Sequence, residues 1–321
     1  MKINYICAIK NKKTMIKKNF FKVVAALLFA FMFSCDNTTD DPINNNKNNP
    51  ATGGSGGNGS TGPTITGPRI LHKILVNNEA NQEFVTTGNV LQKTIFKETS
   101  GGANSFFLGL PTYTSGKISK VKFWQEINGA VPANGLGYEF DITYDSAGKI
   151  NYTTCQTTLG GTPHFNMEYT YTYDGSGKMT KIVEKKKSGT TYVQFTNYNF
   201  TTIADNITKM SAETGATTPT GAPDMSVSVT TTNYNYPSYD NKINPYNTLP
   251  RTFFVVWSLV HPLNFSTLSA NNYTSLSIET LSPVSPTPIP VSSYNLSYLY
   301  DSMNYPTSDQ SQAQKYVYKA L

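Results

Sequence analysis

The segment Tyr138-x-Phe140-x-Ile142-x-Tyr144-Asp145-Ser146-Ala147-Gly148-Lys149-Ile150 returns as Tyr169-x-Tyr171-x-Tyr173-Asp174-Gly175-Ser176-Gly177-Lys178-Met179. This repetition constrains the fold more than any other feature of the chain. Alternation with period two places the Tyr, Phe and Ile side chains on one face of a strand and the polar residues on the other. The Asp-x-x-Gly-Lys segment then supplies a turn. Asp145 or Asp174 accepts backbone N–H groups at its start, and Gly148 or Gly177 takes the left-handed conformation of a bulged hairpin. The lysine after the glycine belongs on the solvent face. Shorter echoes are Tyr113-Thr114-Ser115-Gly116-Lys117-Ile118 and Ile203-Ala204-Asp205-Asn206-Ile207-Thr208-Lys209. The apolar residue closing each turn falls at 118, 150, 179 and 207, and a period near thirty residues in a non-helical chain predicts stacked hairpins.

Helical signals are scarce elsewhere. Phe253 to Val260 is an apolar run rich in β-branched and aromatic residues between Pro250 and Pro262. It reads as a buried strand, with a short helix as the alternative. Pro283, Pro286, Pro288 and Pro290 mark a loop or an edge that cannot join a central ladder. Tyr294 to Tyr300 and Lys315 to Tyr318 read as closing strands. The expected fold of residues 68–321 is all-β: a single antiparallel sheet of stacked hairpins, strongly curved or partly rolled.

The first residues carry a different message. From Met15, the expected translation start, a basic stretch leads into Val23 to Phe33 without a polar residue, followed by Ser34 and Cys35. That is the pattern of a secretory signal, with an apolar stretch too short for a bilayer about 30 Å thick. Met32-Phe33-Ser34-Cys35 resembles the lipobox of bacterial lipoproteins. The resemblance implies that residues 1–34 are a signal peptide and that Cys35 is the lipid attachment site. Asp36, Asp40 and Asp41 stand where lipoproteins carry sorting residues, and the expected location is the outer membrane, facing the periplasm or the surface. Residues 36–67, rich in Asn, Gly and Ser, bury no apolar area and read as a flexible tether with a reach of roughly 30 Å. Several acyl chains, each buried CH₂ contributing about 0.8 kcal/mol, make such an anchor stable.

Charge excludes the obvious alternative. The chain has 26 basic and 20 acidic residues, a formal +6, but seven lysines precede Cys35, which leaves 19 basic against 20 acidic residues. No basic footprint for nucleic acid remains. With Cys35 acylated, only Cys155 remains after it, so no intramolecular disulfide is expected, and Cys155 reads as a small apolar filler. His72, His164 and His261 have no partner at metal-ligand spacing, so no metal or cofactor is expected.

Motifs that would carry catalysis dissolve on inspection. Gly53 to Gly57 spells Gly-x-Ser-x-Gly, but a nucleophile elbow needs a strand before it and a helix after it. Gly175-Ser176-Gly177-Lys178 lacks the leading glycine and closing hydroxyl of a phosphate loop. Asp145 and Asp174 already have turn-forming tasks. The reading is therefore a non-enzymatic structural or interaction module. A glycan- or apolar-ligand-binding lipoprotein is the alternative, and an unrecognised hydrolase is a third option. The 21 Tyr and 17 Phe invite the glycan reading, because a sheet of rings can stack on sugars, but the same alternation also buries them.

The Tyr-Asp-x-x-Gly-Lys hairpins resemble YD-repeat β proteins. Tyr239-Asp240-Asn241-Lys242-Ile243-Asn244-Pro245-Tyr246, Ser269 to Thr274 and Asn304-Tyr305-Pro306-Thr307 are similar to a family of uncharacterised bacterial lipoproteins in that style. The resemblance implies an exported, lipid-anchored β domain attached to the membrane through Cys35. It supplies no catalytic residue, and a glycan or another envelope protein is the kind of partner it leaves open.

Overall fold

The computed structural model describes residues 68–98, 104–224, 226–283 and 285–320. The wall begins as a meander of β1 (Arg69–Val76), β2 (Glu79–Thr87), β3 (Val90–Lys97), β4 (Ser105–Thr114), β5 (Lys117–Ile127) and β6 (Leu136–Tyr144). It continues through β7 (Ile150–Leu159), β8 (Thr162–Tyr173), β9 (Met179–Ser188), β10 (Thr191–Ile203), β11 (Asn206–Ala216) and β12 (Thr230–Tyr239). The chain then leaves the wall for a 3-10 turn (Pro245–Thr248), helix α1 (Arg251–Val260) and a second 3-10 turn (Pro262–Leu268). It returns as β13 (Tyr273–Ser282), β14 (Ser285–Asn295), β15 (Tyr298–Tyr300), β16 (Pro306–Asp309) and β17 (Gln314–Ala320).

Every strand pairing is antiparallel, and the last strand pairs with the first: Arg69 faces Ala320, and Val76 faces Gln314. The order across the sheet is therefore β15, β16, β17, β1, then β2 through β14. No pairing joins β14 to β15 among the described residues, so the sheet is curved but not closed. The proline-rich segment is edge strand β14, paired only with β13, which is where residues lacking an N–H are tolerated. The run Tyr294 to Tyr300 is split between β14 and β15.

The stretch Phe253 to Val260 forms α1 and not a strand. Residues Phe253 to Leu259 are all buried, and the helix stands inside the curved wall. There no neighbouring strand offers ladder partners, so a helix, which satisfies its backbone groups internally, is the conformation left to it. Its rings meet the inner face on several sides. Phe96 of β3 stacks on Trp257 at 4.6 Å, Phe123 of β5 lies 5.4 Å from Phe253, and Phe84 of β2 lies 6.1 Å from Phe254. Phe265, in the returning 3-10 turn, packs on Phe200 of β10 at 4.8 Å. Gly109 on β4 makes the close approach possible, because a Cβ there would stand 2.9 Å from Phe253 and 2.4 Å from Thr94 Oγ1.

Strand ends alternate between two rims. One carries the Asp-x-x-Gly turns, the start of β1 and the end of β17. At Asp145 the turn closes through Gly148 N–H to the Asp145 carbonyl at 3.0 Å, and Asp145 Oδ1 accepts Lys149 N–H at 2.9 Å. At Asp174, Gly177 N–H donates to the Asp174 carbonyl at 2.9 Å, and Oδ1 accepts the N–H groups of Ser176 and Lys178, each at 2.9 Å. Gly148 and Gly177 have φ of +80° and +83°. Asp301-Ser302-Met303-Asn304 is a third copy, with Asn304 at φ +66° where the others have glycine.

Four tyrosines at strand ends on this rim reach back to the previous hairpin. Tyr113 donates to the Leu91 carbonyl at 2.9 Å, Tyr144 to Ile118 at 2.7 Å, Tyr173 to Ile150 at 2.9 Å and Tyr239 to Ile207 at 2.6 Å. Each acceptor sits where the ladder register slips at the end of its own hairpin. Lysines of the turns reach forward: Lys117 lies over the Tyr144 ring at 4.9 Å, and Lys149 over Tyr173 at 5.2 Å. Lys178 pairs instead with Asp205 at 3.0 Å.

Candidate functional site: a cleft at the open rim

At the rim opposite the turns, the C-terminal end of α1 stops short of the wall and leaves a half-enclosed cleft of about 390 Å³. That volume is within the range of small-molecule sites, about 300–1,000 Å³. The inner faces of β6, β8, β9 and β10 line it, with Leu259, Val260 and Pro262 on the helix side. A register slip between β7 and β8 shapes its mouth, where Thr157 Oγ1 accepts Phe165 N–H at 2.9 Å and donates to the Phe165 carbonyl at 3.2 Å.

Glu184 is the chemical centre of this cleft. On β9 the side chains of Ile182, Glu184 and Lys186 share the inner face by simple alternation. Only 8% of Glu184 is exposed. Tyr198 on β10 donates its hydroxyl to Glu184 Oε2 at 3.1 Å. Burial raises the Glu184 pKa above the usual carboxylate value, against the opposing pull of the Tyr198 hydrogen bond and the Lys186 charge. Glu184 makes no ion pair among the described residues. Lys186, two residues nearer the mouth, places its ammonium 3.9 Å from the centre of the Phe165 ring. His164 lies exposed beside Phe165, the two ring centres 3.9 Å apart.

On the outer side of β6 lies a second hollow of about 410 Å³, bordered by Leu110, Trp124 and Val131 and sharing Leu136 and Tyr138 with the cleft. Its apolar rim is open to solvent, with Val131 at 53% and Leu136 at 43% exposure.

The residues singled out from sequence have the following places. Asp145, Gly148, Asp174 and Gly177 lie at the turn rim, each carboxylate engaged by its own turn, and none of them reaches the cleft. Cys35 lies outside the described residues, as does the Gly53–Gly57 segment. Cys155 is buried on β7, and desolvation pushes its thiol pKa well up. His72 faces the Phe84 carbonyl at 3.4 Å. His261 caps the end of α1 edge-on to Phe107, its pKa lowered by burial. Among the described residues no group of three or more His, Cys, Asp or Glu is placed to hold a metal ion, and no helix is long and apolar enough to cross a membrane. Glu184 escaped the sequence reading. Counting inward positions from Ile182 along Val183-Glu184-Lys185-Lys186-Lys187 would have found it.

No family model and no curated protein matches the chain. Among solved structures, it is similar to a porin-like protein from Bacteroides vulgatus, with a TM-score of 0.39 and 12% identity over 79% of this chain and 100% of that one. A porin-like protein from Bacteroides uniformis gives a TM-score of 0.31 and 12% identity over 80% of this chain and 96% of that one.

Proposed function

We propose that this chain is a lipid-anchored module of the cell envelope that holds a small-molecule cleft away from the membrane. The signal-like segment ending at Cys35 and the Asn, Gly and Ser composition of residues 36–67 support attachment through an acylated cysteine. The observation that carries the reading is one of orientation. Arg69, the first residue of β1, sits at the turn rim, pinned by its ion pair with Asp301 and by the Tyr305 ring at 5.6 Å. The cleft opens at the other rim. A tether from Cys35 to β1 therefore joins the body at the turn rim, the end away from the cleft, and biases that rim toward the bilayer. The tyrosines before the turns, Tyr113, Tyr144, Tyr173 and Tyr239, spend their hydroxyls on backbone carbonyls, which favours the cleft over a tyrosine-studded sheet as the contact surface. The function is binding and not catalysis, at the outer membrane.

Labelling cells with a fatty-acid analogue tests the anchor: the protein takes up label and partitions with membranes, and Cys35→Ala loses both. In reconstituted vesicles bearing a lipid-borne quencher, a fluorophore on Ser146 is quenched more than one on Thr190. Equal quenching, or label surviving Cys35→Ala, overturns the reading.

A further inference from the structure

The cleft contains a carboxyl group that the protein itself does not neutralise. Glu184 is more than nine-tenths buried, is aimed inward and makes no ion pair among the described residues, and its partner at 3.1 Å is an uncharged phenol. A buried carboxylate without a counter-charge is costly, and proteins that keep one either protonate it or supply a cation. The nearest cation on the same face of β9, Lys186, is held at the mouth over Phe165 and leaves Glu184 unpaired. Between them the walls are Tyr138, Phe140, Tyr169 and the helix residues Leu259 and Val260. Aromatic faces attract a positive charge, and desolvation strengthens that attraction.

We infer that the cleft binds an organic ammonium ligand with an apolar body, Glu184 serving as its counter-ion at the base and the aromatic walls enclosing the rest. This deepens the binding function assigned to the same cleft. The ligand N–H donates to the Glu184 carboxylate, and any proton resident on that carboxylate leaves to solvent when the ammonium enters. Affinity therefore falls on acidification, because a proton and the ligand compete for the same oxygens. The other titratable groups around Glu184 are Tyr138 of β6, Cys155 of β7, Tyr169 of β8 and Tyr198 of β10, all neutral near neutral pH, with Lys186 of its own strand and His164 of β8 at the mouth. None of them replaces Glu184 as an anion.

The test is calorimetric titration of the detergent-solubilised full chain with 2-phenylethylammonium, its neutral isostere 2-phenylethanol, and phenylacetate. The ammonium saturates one site, while the alcohol and the carboxylate bind at least tenfold more weakly. Glu184→Gln, which keeps the size of the side chain and its acceptor for Tyr198, weakens ammonium binding at least tenfold. Lys186→Met, which removes a repelling charge at the mouth, tightens it. Circular dichroism verifies that both variants are folded. Equal binding of ammonium and alcohol, tighter binding of phenylacetate, unchanged affinity in Glu184→Gln, loss of binding in Lys186→Met, or no saturable heat with any probe overturns the inference. Because the chain is in detergent, an unacylated Cys35 does not alter these results, and a missing amine response leaves the anchor untouched.

Discussion

Tyr144 and Ile118 belong to neighbouring hairpins, and the hydroxyl of the first donates to the carbonyl of the second at 2.7 Å, while Lys117, next to Ile118 in the chain, covers the Tyr144 ring at 4.9 Å. These two hairpins are thereby fastened by a hydrogen bond running back and a cation running forward, and Lys149 over Tyr173 with Tyr173 to Ile150 repeats the pair at the next hairpin. Tyr144→Phe keeps the ring and removes the bond. A net cost of about 1 kcal/mol is expected for a hydrogen bond of this kind. In a domain of this size that lowers the melting temperature by roughly 2–4 °C. Thermal denaturation followed by circular dichroism checks it, and an unchanged midpoint would show that the hydroxyl contributes nothing net.

The two glycines of the turn at Asp174 are not equivalent. Gly177 has φ of +83°, whereas a Cβ on Gly175 meets nothing within 4 Å. Gly177→Ala is expected to destabilise by about 1–2 kcal/mol, the steric cost of the left-handed region for a residue with a Cβ. Gly175→Ala leaves stability unchanged or raises it by about 0.4–1 kcal/mol through the unfolded chain. Urea midpoints should place Gly177→Ala below the parent protein and Gly175→Ala at or above it.

Helix α1 depends on a missing side chain in the wall. At Gly109 a Cβ would stand 2.4 Å from Thr94 Oγ1, 2.8 Å from the Phe123 ring and 2.9 Å from Phe253. Gly109→Ala should cost about 1–3 kcal/mol by overpacking. Pairing it with Phe253→Leu, which withdraws the ring, should recover part of the loss. A double-mutant cycle read from denaturation would show strictly additive effects if the two sites were independent.

Glu184 links stability to pH in a direction opposite to that of most carboxylates. Its folded-state pKa is raised by burial, so the folded chain holds the proton more tightly than the unfolded chain. The stability this group contributes is complete below its ordinary value of 4.5 and is lost as pH rises through the folded value. Glu184→Gln, neutral at every pH, should match the parent near pH 4 and exceed it near pH 7. Urea denaturation at the two pH values decides the point. A variant less stable than the parent at neutral pH would mean that the charged form is the better accommodated one. The expected pattern, a residue that costs stability where it stands, is common at binding sites.

The hairpins were legible because two local signals agreed: alternation with period two and a turn whose carboxylate and glycine have fixed tasks. The reason for the period was not legible. It lies in contacts such as Tyr144 to Ile118, which join residues of different hairpins and leave no local trace beyond the tyrosine itself. The third Asp turn, at Asp301, carries no glycine signal because Asn304 takes the left-handed place. An apolar run as short as Phe253 to Val260 has no periodicity to separate strand from helix, and its valines favour the strand over the helix that forms. What decides is the surroundings, an enclosed interior without a ladder to join. The cleft stayed hidden for a related reason. Glu184 sits in a lysine-rich stretch that looks like solvated surface, and only the inward count from Ile182 reveals its direction.

The pairing of β1 with β17 sets a timetable for assembly. A polypeptide emerging from any pore with its amino end first exposes Arg69 to Val76 long before Gln314 to Ala320 can flank them. Intermediate hairpins are free to zip up in order, but the free flank of β1 waits for β17 to cover it. Removing Gln314 to Ala320 should therefore leave Arg69 to Val76 as an uncovered edge, open to proteolysis and to pairing with another copy.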